Sequence, residues 1–248
     1  MLIMEFGKYI AHRGLHKKGV PENSMAAFSA AVDKKIAVEL DVRLTKDGKI
    51  VVFHDKNLLR MCSVEADVCD FTYEQLSQFT LNETNQKIPL LAEVLKLVNG
   101  KVPLLIEIKS GALLGELEKR LIHLMKKYKG DYAVQSFNPF SLLYFRIFSP
   151  KTVRAQLVSE YKNKFDFEYI MRKICAQPIV WKIISKPEII AADLRSISLE
   201  TAFKAVDANA DLFTWTAHGK ELIETAGQFS KTVIAEDFPK DFDFNREK

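Results

Sequence analysis

Short β-branched runs alternate along this chain with longer helical patterns, and this alternation is typical of a parallel sheet whose strands are joined by helices. The runs predict nine strands, near residues 9–12, 37–43, 50–54, 103–109, 131–135, 153–158, 188–192, 211–216 and 232–235. The helical patterns predict helices over residues 24–34, 89–98, 113–128, 139–148 and 199–209.

The link between the second and third strands is too short for a parallel crossover. It reads Thr-Lys-Asp-Gly over residues 45–48 and carries an Asp-Gly turn signal, so the two strands should form a hairpin. Without the returning hairpin strand, eight strands remain, each separated from the next by enough chain for a helix. The sequence therefore predicts an α/β fold, a TIM (β/α)₈ barrel with an additional hairpin strand after strand 2, as a single domain over residues 1–248.

Two stretches lack a clear period. Residues 56–88 form the longest irregular stretch, which we interpret as either an elaborated active-site loop or a small insertion. Residues 160–187 mix charges, aromatic side chains and a proline, and could hold a helix plus an extra strand at 179–184.

Charge and hydropathy exclude some classes of partner. The net charge of +4 is small and scattered, so we expect no nucleic acid partner. No stretch reaches about 18 uninterrupted apolar residues, and the first residues lack the pattern of a signal peptide. We therefore expect a cytoplasmic protein without stable membrane insertion, whose oligomeric state the sequence leaves open.

Two predicted strands carry pairs of charged residues two positions apart. These are Glu39 with Asp41 and Glu107 with Lys109. Strand geometry places the members of each pair on the same face, where buried charges need partners. Three carboxylates without a nearby cysteine favour a hard divalent cation, and Mg²⁺, Ca²⁺ and Mn²⁺ are all admissible.

Further polar residues lie at predicted strand ends. His12 and Arg13 follow the first strand and His54 ends the hairpin strand, while Trp215 lies late in the eighth predicted strand. The active site of a (β/α)₈ barrel lies at the carboxyl ends of its strands. The pattern predicts a phosphoryl site in which Arg13 and Lys109 hold the anion and two histidines exchange protons.

A structural alternative is that two ion pairs, Glu107–Lys109 and Glu39–Arg43, stabilise the barrel interior. A purely structural site gains little from the two strand-end histidines, and burying so many charges without a ligand is costly.

These motifs resemble those of the glycerophosphodiester phosphodiesterases, which are metal-dependent (β/α)₈ barrels. The matching residues are His12-Arg13-Gly14, Pro21-Glu22-Asn23-Ser24, Glu39-Leu40-Asp41-Val42, Val51-Val52-Phe53-His54-Asp55, Leu59-Arg60, Ile88-Pro89-Leu90-Leu91 and Glu107-Ile108-Lys109. Fainter matches follow at Gln135-Ser136-Phe137, Trp215-Thr216 and residues 234–239.

The resemblance implies roles for eight residues. It implies that the metal, Mg²⁺ or Ca²⁺ with Mn²⁺ possible, is bound by Glu39, Asp41 and Glu107. It further implies that the acid and base are His12 and His54, and that the phosphate is held by Arg13 and Lys109. Trp215 could contact the glycerol or the alcohol entrance, or be a core residue.

Asn23 could shape the site, or could cap the helix that follows it together with Ser24.

The implied reaction is hydrolysis of a small-molecule glycerophosphodiester to sn-glycerol 3-phosphate and an alcohol. One alternative is a lysophospholipase D, which would need an apolar groove for an acyl chain. Residues 137–148 are the most aromatic stretch, but their spacing favours a helix packed on the barrel. Another alternative is a noncatalytic barrel that binds a metal or ligand.

The chain departs from the family pattern at two places. Thr216-Ala217-His218 stands where the family usually has a threonine, a small apolar residue and an asparagine, and Ala235-Glu236-Asp237 replaces the commoner threonine-aspartate. Both departures bear on the choice of leaving group.

Overall fold

The computed structural model describes residues 4–110, 115–159, 177, 180–195, 197 and 209–244. The chain divides into two compact units. The N-terminal unit is Ala11–Asp131, and the C-terminal unit combines Met1–Ile10 with Tyr132–Lys248. The expected single domain over residues 1–248 stays a prediction.

All nine predicted strands are present, and their ends differ from the predicted ones by at most two residues. They are β1 (Tyr9–Ala11), β2 (Ala37–Leu44), β3 (Ile50–Val52), β4 (Leu104–Ile108), β5 (Tyr132–Ser136), β6 (Val153–Val158), β7 (Ile189–Asp193), β8 (Asp211–His218) and β9 (Thr232–Glu236).

Four of the five predicted helices are also present. The helices of the described residues are α1 (Met25–Asp33), α2 (Leu59–Cys62), α3 (Tyr73–Leu76), α4 (Leu91–Val98), α5 (Glu116–Met125), α6 (Pro139–Phe148) and α7 (Gly219–Gly227). The helix predicted over residues 199–209 lies, except for its last residue, outside the described residues. No helix in the described part of the chain has both the length and the hydropathy to cross a bilayer.

Strand β2 is the central strand of the N-terminal unit. Strand β3 pairs antiparallel to it with Val42 opposite Val52, which confirms the predicted hairpin. Strand β4 pairs parallel to β2 on the other side, with Asp41 opposite Glu107. This register brings the two charged pairs of the sequence side by side.

The stretch over residues 56–88 is more ordered than the sequence suggests. It contains α2, a 3₁₀ helix over Val68–Asp70 and α3. Its buried apolar residues form one cluster with the end of β3, comprising Val51, Phe53, Leu58, Met61, Val68, Leu76, Leu81 and Ile88. The hydrophobic spacing was too irregular to predict these short helices, which are stabilised by the cluster.

Strands β5 to β9 follow one another in parallel order in the C-terminal unit, and β1 lies beside β9. The extra strand considered at 179–184 is wrong, because Trp181–Ser185 forms a π-helical turn. The Lys186 amide donates to the Trp181 carbonyl at 2.7 Å, and the indole is buried. Burial of one large ring on a single turn therefore overrides the β-branched pattern.

Helix α6 only partly meets the expectation that its aromatic residues pack inward. Leu142 and Phe145 are fully buried, whereas Phe140 and Phe148 are 44% and 60% exposed.

Gly14 should not tolerate a side chain, because both its backbone conformation and its surroundings oppose one. It has φ +82°, and a Cβ there would lie 2.9 Å from Ala27 atoms of α1. We expect Gly14→Ala to lower the free energy of unfolding by about 3 kcal/mol, because left-handed strain adds to overpacking. Gly19→Ala is the matched control, with φ +80° and open space around the added Cβ. It should cost about 1 kcal/mol. Equal losses for the two variants in urea unfolding would contradict the clash.

Candidate active site

Three carboxylates form a buried cluster in the N-terminal unit. Glu39 and Asp41 lie two residues apart on β2, and Glu107 lies opposite Asp41 on β4. Each offers an oxygen within 4.8 Å of the others. The exposed fractions of the three residues are 0%, 0% and 7%. Burying three like charges this close together is costly unless cations compensate for them.

Two protein cations neutralise part of this charge. Lys109 Nζ lies 2.5 Å from Glu107 Oε1 and 3.2 Å from Asp41 Oδ1. Arg13 Nε lies 3.4 Å from Asp41 Oδ2. Three carboxylates therefore face two cations, and the cluster keeps an excess of negative charge when all three are ionised.

The pKa shifts divide the cluster. Burial and repulsion from Asp41 and Glu107 raise the pKa of Glu39 well above its usual range. Burial also raises the pKa of Glu107, although Lys109 opposes the shift. For Asp41, burial is outweighed by the cations Lys109 and Arg13, so its pKa is lowered. The cluster thus has one carboxylate whose pKa is lowered and two whose pKa values are raised.

The donor set fits a hard divalent cation. Asp41 Oδ1 is buried and accepts no hydrogen bond of good geometry. Lys109 Nζ lies 3.2 Å away and compensates its charge, but a buried oxygen without a hydrogen bond is costly unless a ligand satisfies it. Mg²⁺, Ca²⁺ and Mn²⁺ prefer carboxylate oxygens, and a divalent charge would favour ionisation of Glu39 and Glu107.

His12 and Arg13 follow β1 at a sharp backbone turn. Arg13 has φ +56°, a left-handed conformation that is uncommon for a residue with a side chain. Its amide donates to Glu39 Oε2 at 3.0 Å, and its guanidinium Nη1 donates to Glu22 Oε1 at 2.7 Å. His12 Nε2 lies 4.0 Å from Glu39 Oε2. The turn therefore brings the imidazole to the edge of the carboxylate cluster.

His54 follows β3, and its orientation is fixed by two neighbours. Its Nδ1 lies 2.6 Å from Asp55 Oδ1, and Arg43 donates to its backbone carbonyl through Nε and Nη2. Hydrogen bonds from Arg60 and His54 outweigh burial and lower the pKa of Asp55, so this carboxylate accepts. Nδ1 then carries the imidazole proton and Nε2 keeps its lone pair. Burial, with Lys109 and Arg13, lowers the pKa of His54 to about 4.

Asn23 and Ser24 have separate roles. The Ser24 hydroxyl accepts from the Ala27 amide and caps α1. Asn23 is buried with φ +53°, and its Nδ2 donates to Asp41 Oδ2 at 2.8 Å. Asn23 therefore orients a carboxylate of the cluster, and the helix cap is provided by its neighbour.

The N-terminal unit thus brings together seven of the eight predicted site residues. They are His12, Arg13, Glu39, Asp41, His54, Glu107 and Lys109. The eighth, Trp215, belongs to the C-terminal unit, where its Nε1 donates to the Ala191 carbonyl at 2.9 Å. Its ring lies edge-on to Phe137 with the centroids 5.6 Å apart.

The two departures from the family pattern contact each other. His218 Nδ1 lies 3.1 Å from Glu236 Oε1 and 3.3 Å from Asp237 Oδ2, at the carboxyl ends of β8 and β9. The histidine at position 218 therefore contacts the carboxylates at positions 236 and 237.

Sequence reasoning missed what two arginines do. The sequence suggests Arg43 only as a partner of Glu39, and Arg60 only as part of a motif. Arg60 is held by Glu22 and Asp55, which lie 38 and 5 positions away in the chain. No periodic pattern signals a contact between a short helix and a distant loop, so only the folded backbone reveals it.

Comparison with known proteins gives one family match over most of the chain. Residues 12–241 match the sequence profile of the glycerophosphoryl diester phosphodiesterase family. A glycerophosphodiester phosphodiesterase of Caldanaerobacter subterraneus is 42% identical over 144 residues, which cover 54% of this chain and 59% of that protein. A lysophospholipase D of Rattus norvegicus is 33% identical over 138 residues, covering 50% and 43%. The chain thus spans about half the length of these relatives.

A solved structure shows the fold. A phosphodiesterase of Oleispira antarctica, in complex with the product sn-glycerol-3-phosphate, matches with a TM-score of 0.76 and 21% identity. The match covers 93% of each chain. The fold is thus the predicted TIM (β/α)₈ barrel, with the hairpin strand β3 outside the ring of eight parallel strands.

Repulsion in the cluster should make Glu39 a destabilising residue when no metal is bound. The folded-state pKa of Glu39 is raised, so ionisation destabilises the fold as the pH rises from the unfolded pKa through the folded one. We expect Glu39→Gln to raise the Tm in EDTA by about 3 °C at pH 8. The difference from wild type should vanish below about pH 4. We expect Mn²⁺ to raise the Tm of wild type, and this gain should be lost in Glu39→Gln.

Glu118→Gln is the matched control for this measurement. Glu118 is similarly buried, but it accepts from the Ser110 hydroxyl and the Gly115 amide and is not one of the three clustered carboxylates. Its replacement should lower the Tm in EDTA and keep the gain with Mn²⁺. A Glu39→Gln variant that responds to Mn²⁺ like wild type would contradict the assignment of Glu39 as a ligand.

Proposed function

Because this chain belongs to the glycerophosphoryl diester phosphodiesterase family, we propose that it hydrolyses glycerophosphodiesters to sn-glycerol 3-phosphate and an alcohol. The buried cluster of Glu39, Asp41 and Glu107 carries this proposal, because cations and imidazoles of the same unit surround it. Support also comes from the Oleispira antarctica structure, whose ligand is sn-glycerol-3-phosphate.

The three carboxylates would hold the divalent cation. Such a cation, when bound, would polarise a phosphoryl oxygen and lower the pKa of the attacking hydroxyl or water. Asn23 holds Asp41 through its Nδ2, and the Arg13 amide holds Glu39. Two of the three ligands are therefore oriented before any cation binds, which reduces the entropy cost of binding.

Arg13 and Lys109 would bind the non-bridging phosphate oxygens. Burial works against the charge of Lys109, but Glu107 and Asp41 outweigh it and raise the pKa of the ammonium. Arg13 likewise has its pKa raised, because Asp41 and Glu22 outweigh its burial. Both side chains therefore stay charged throughout the physiological pH range, as an anion site requires.

His54 would be the general base and His12 the general acid. With its pKa at about 4, His54 is neutral at pH 7, and the Asp55 carboxylate on Nδ1 leaves Nε2 as the proton acceptor. His12 lies beside Glu39, whose ionised form would favour a protonated imidazole that can give its proton to the leaving alcohol.

A second candidate is a lysophospholipase D activity, in which the glycerol of the substrate carries an acyl chain. The Rattus norvegicus relative bears that name, and α6 exposes Phe140, Ile147 and Phe148. Contiguous exposed apolar side chains of this kind suit contact with a lipid.

A substrate panel distinguishes the two candidates. The protein is incubated with glycerophosphocholine, glycerophosphoethanolamine, glycerophosphoglycerol and a lysophospholipid, each with Mg²⁺, Ca²⁺, Mn²⁺ or EDTA. We expect metal-dependent release of sn-glycerol 3-phosphate, measured enzymatically. Lysophosphatidate as the main product would favour the second candidate, and absence of any product with every metal would contradict both.

Replacing either imidazole should remove turnover and leave metal binding intact. We expect His12→Ala and His54→Ala to lower kcat by about 10²- to 10⁴-fold each, because each removes one proton transfer. The Tm gain on adding Mn²⁺ should stay within about 2 °C of wild type, because neither imidazole is a ligand. His123→Ala, at an exposed position of α5, is the control and should keep full activity. Unchanged kcat in either site variant would refute its role.

A further inference from the structure

Arg60 links the two residues that hold His54 and Arg13. Its Nε donates to Asp55 Oδ2 at 2.6 Å, and its Nη1 and Nη2 donate to Glu22 Oε2 and Oε1 at 2.9 and 2.7 Å. We propose that Arg60 is a positioning residue, which fixes His54 and Arg13 through these two carboxylates. This inference rests on the proposed function for its kinetic consequences only.

Each of the two carboxylates contacts Arg60 on one side and a residue of the proposed site on the other. Asp55 binds Arg60 with Oδ2 and the His54 imidazole with Oδ1. Glu22 binds Arg60 with both oxygens, and its Oε1 also accepts from Arg13 Nη1. A continuous chain of hydrogen bonds thus runs from the proposed base to the proposed phosphate ligand, with Arg60 in its middle.

The two carboxylates belong to different parts of the backbone. Glu22 lies in the loop before α1, and Asp55 follows the hairpin strand β3. Arg60 itself is on α2, which the apolar cluster of residues 51–88 holds in place through Leu58 and Met61. Arg60 therefore ties two loops to a helix that has its own apolar anchor.

The geometry requires an arginine. Its planar guanidinium offers a fork to Glu22 while a third nitrogen–hydrogen bond points at Asp55. A lysine has one nitrogen and cannot keep this arrangement. Exposed ion pairs usually add little to stability, and the Arg60 side chain is 48% exposed. Its effect should therefore appear in catalysis more than in stability.

Arg60→Ala should affect kcat much more than KM. Loss of orientation at a base and an anion ligand lowers the rate by about 10- to 100-fold. We expect kcat to fall by that factor, with KM within about threefold of wild type and the Tm within about 3 °C. Guanidinium in the assay should restore kcat of the alanine variant at least tenfold. Arg60→Lys should remain impaired.

Arg120→Ala is the matched control. Arg120 is also in the N-terminal unit, and its side chain is 46% exposed and paired with a carboxylate, Glu116, at 2.6 Å. It should keep the wild-type kcat, and guanidinium should not activate it.

A rise in KM at unchanged kcat for Arg60→Ala would make Arg60 a substrate ligand. A fall in Tm with unchanged kcat would make it a structural residue. Either result overturns the proposal.

A second readout needs no turnover. Nitrogen-15 spectra of the imidazoles report which ring nitrogen of His54 carries the proton, and the chain has only five histidines, so His54→Ala assigns the signal. We expect the Nδ1–H tautomer to be fixed in wild type and averaged in Arg60→Ala. An unchanged tautomer in Arg60→Ala overturns the proposal even if wild type hydrolyses no diester. Failure of the substrate panel alone would count only against the proposed function.

Discussion

Mutual repulsion among Glu39, Asp41 and Glu107 is the constraint on which the rest of the N-terminal unit depends. The parallel register of β2 and β4 forces the carboxylates together, and burial prevents water from screening them. Lys109 and Arg13 compensate only part of this charge. Such an arrangement reduces stability without a ligand, and its excess negative charge suits a cation, so that stability and the proposed function oppose each other at this buried site.

The strand order and most of the site followed from local patterns. Period-two alternation places Glu39 and Asp41 on one face of β2, and it places Glu107 and Lys109 on one face of the next parallel strand. The Asp-Gly turn indicates the hairpin. These features depend on neighbours in the sequence, so a sequence reveals them. The short helices of residues 56–88 and the π-helical turn at Trp181 depend on buried apolar contacts between distant residues. Their local patterns are correspondingly weak.

Side-chain partners were harder to predict than side-chain positions. The sequence predicts seven charged or imidazole residues for one site, and the structure brings them together in one unit, but the sequence leaves Asn23 undecided between a cap and the site. Its left-handed backbone turns the amide towards Asp41 and leaves the cap to Ser24. The same holds for His218. Its contact with Glu236 depends on the pairing of β8 with β9, which the local sequence does not reveal. Residue types indicate which chemistry is available, and the backbone decides which groups meet.

The hairpin strand and the apolar cluster behind it have a consequence for how such a protein can diversify. The three carboxylates of the buried cluster come from β2 and β4, whereas His54 follows β3, whose end packs into the separate cluster of residues 51–88. A graft of this segment from a relative would leave the carboxylates unchanged. The grafted segment would have to contain both Asp55 and Arg60, and the recipient chain would need a glutamate at position 22 to pair with Arg60. The surface residues of the segment can therefore vary, whereas the residues at positions 22, 55 and 60 have to match one another.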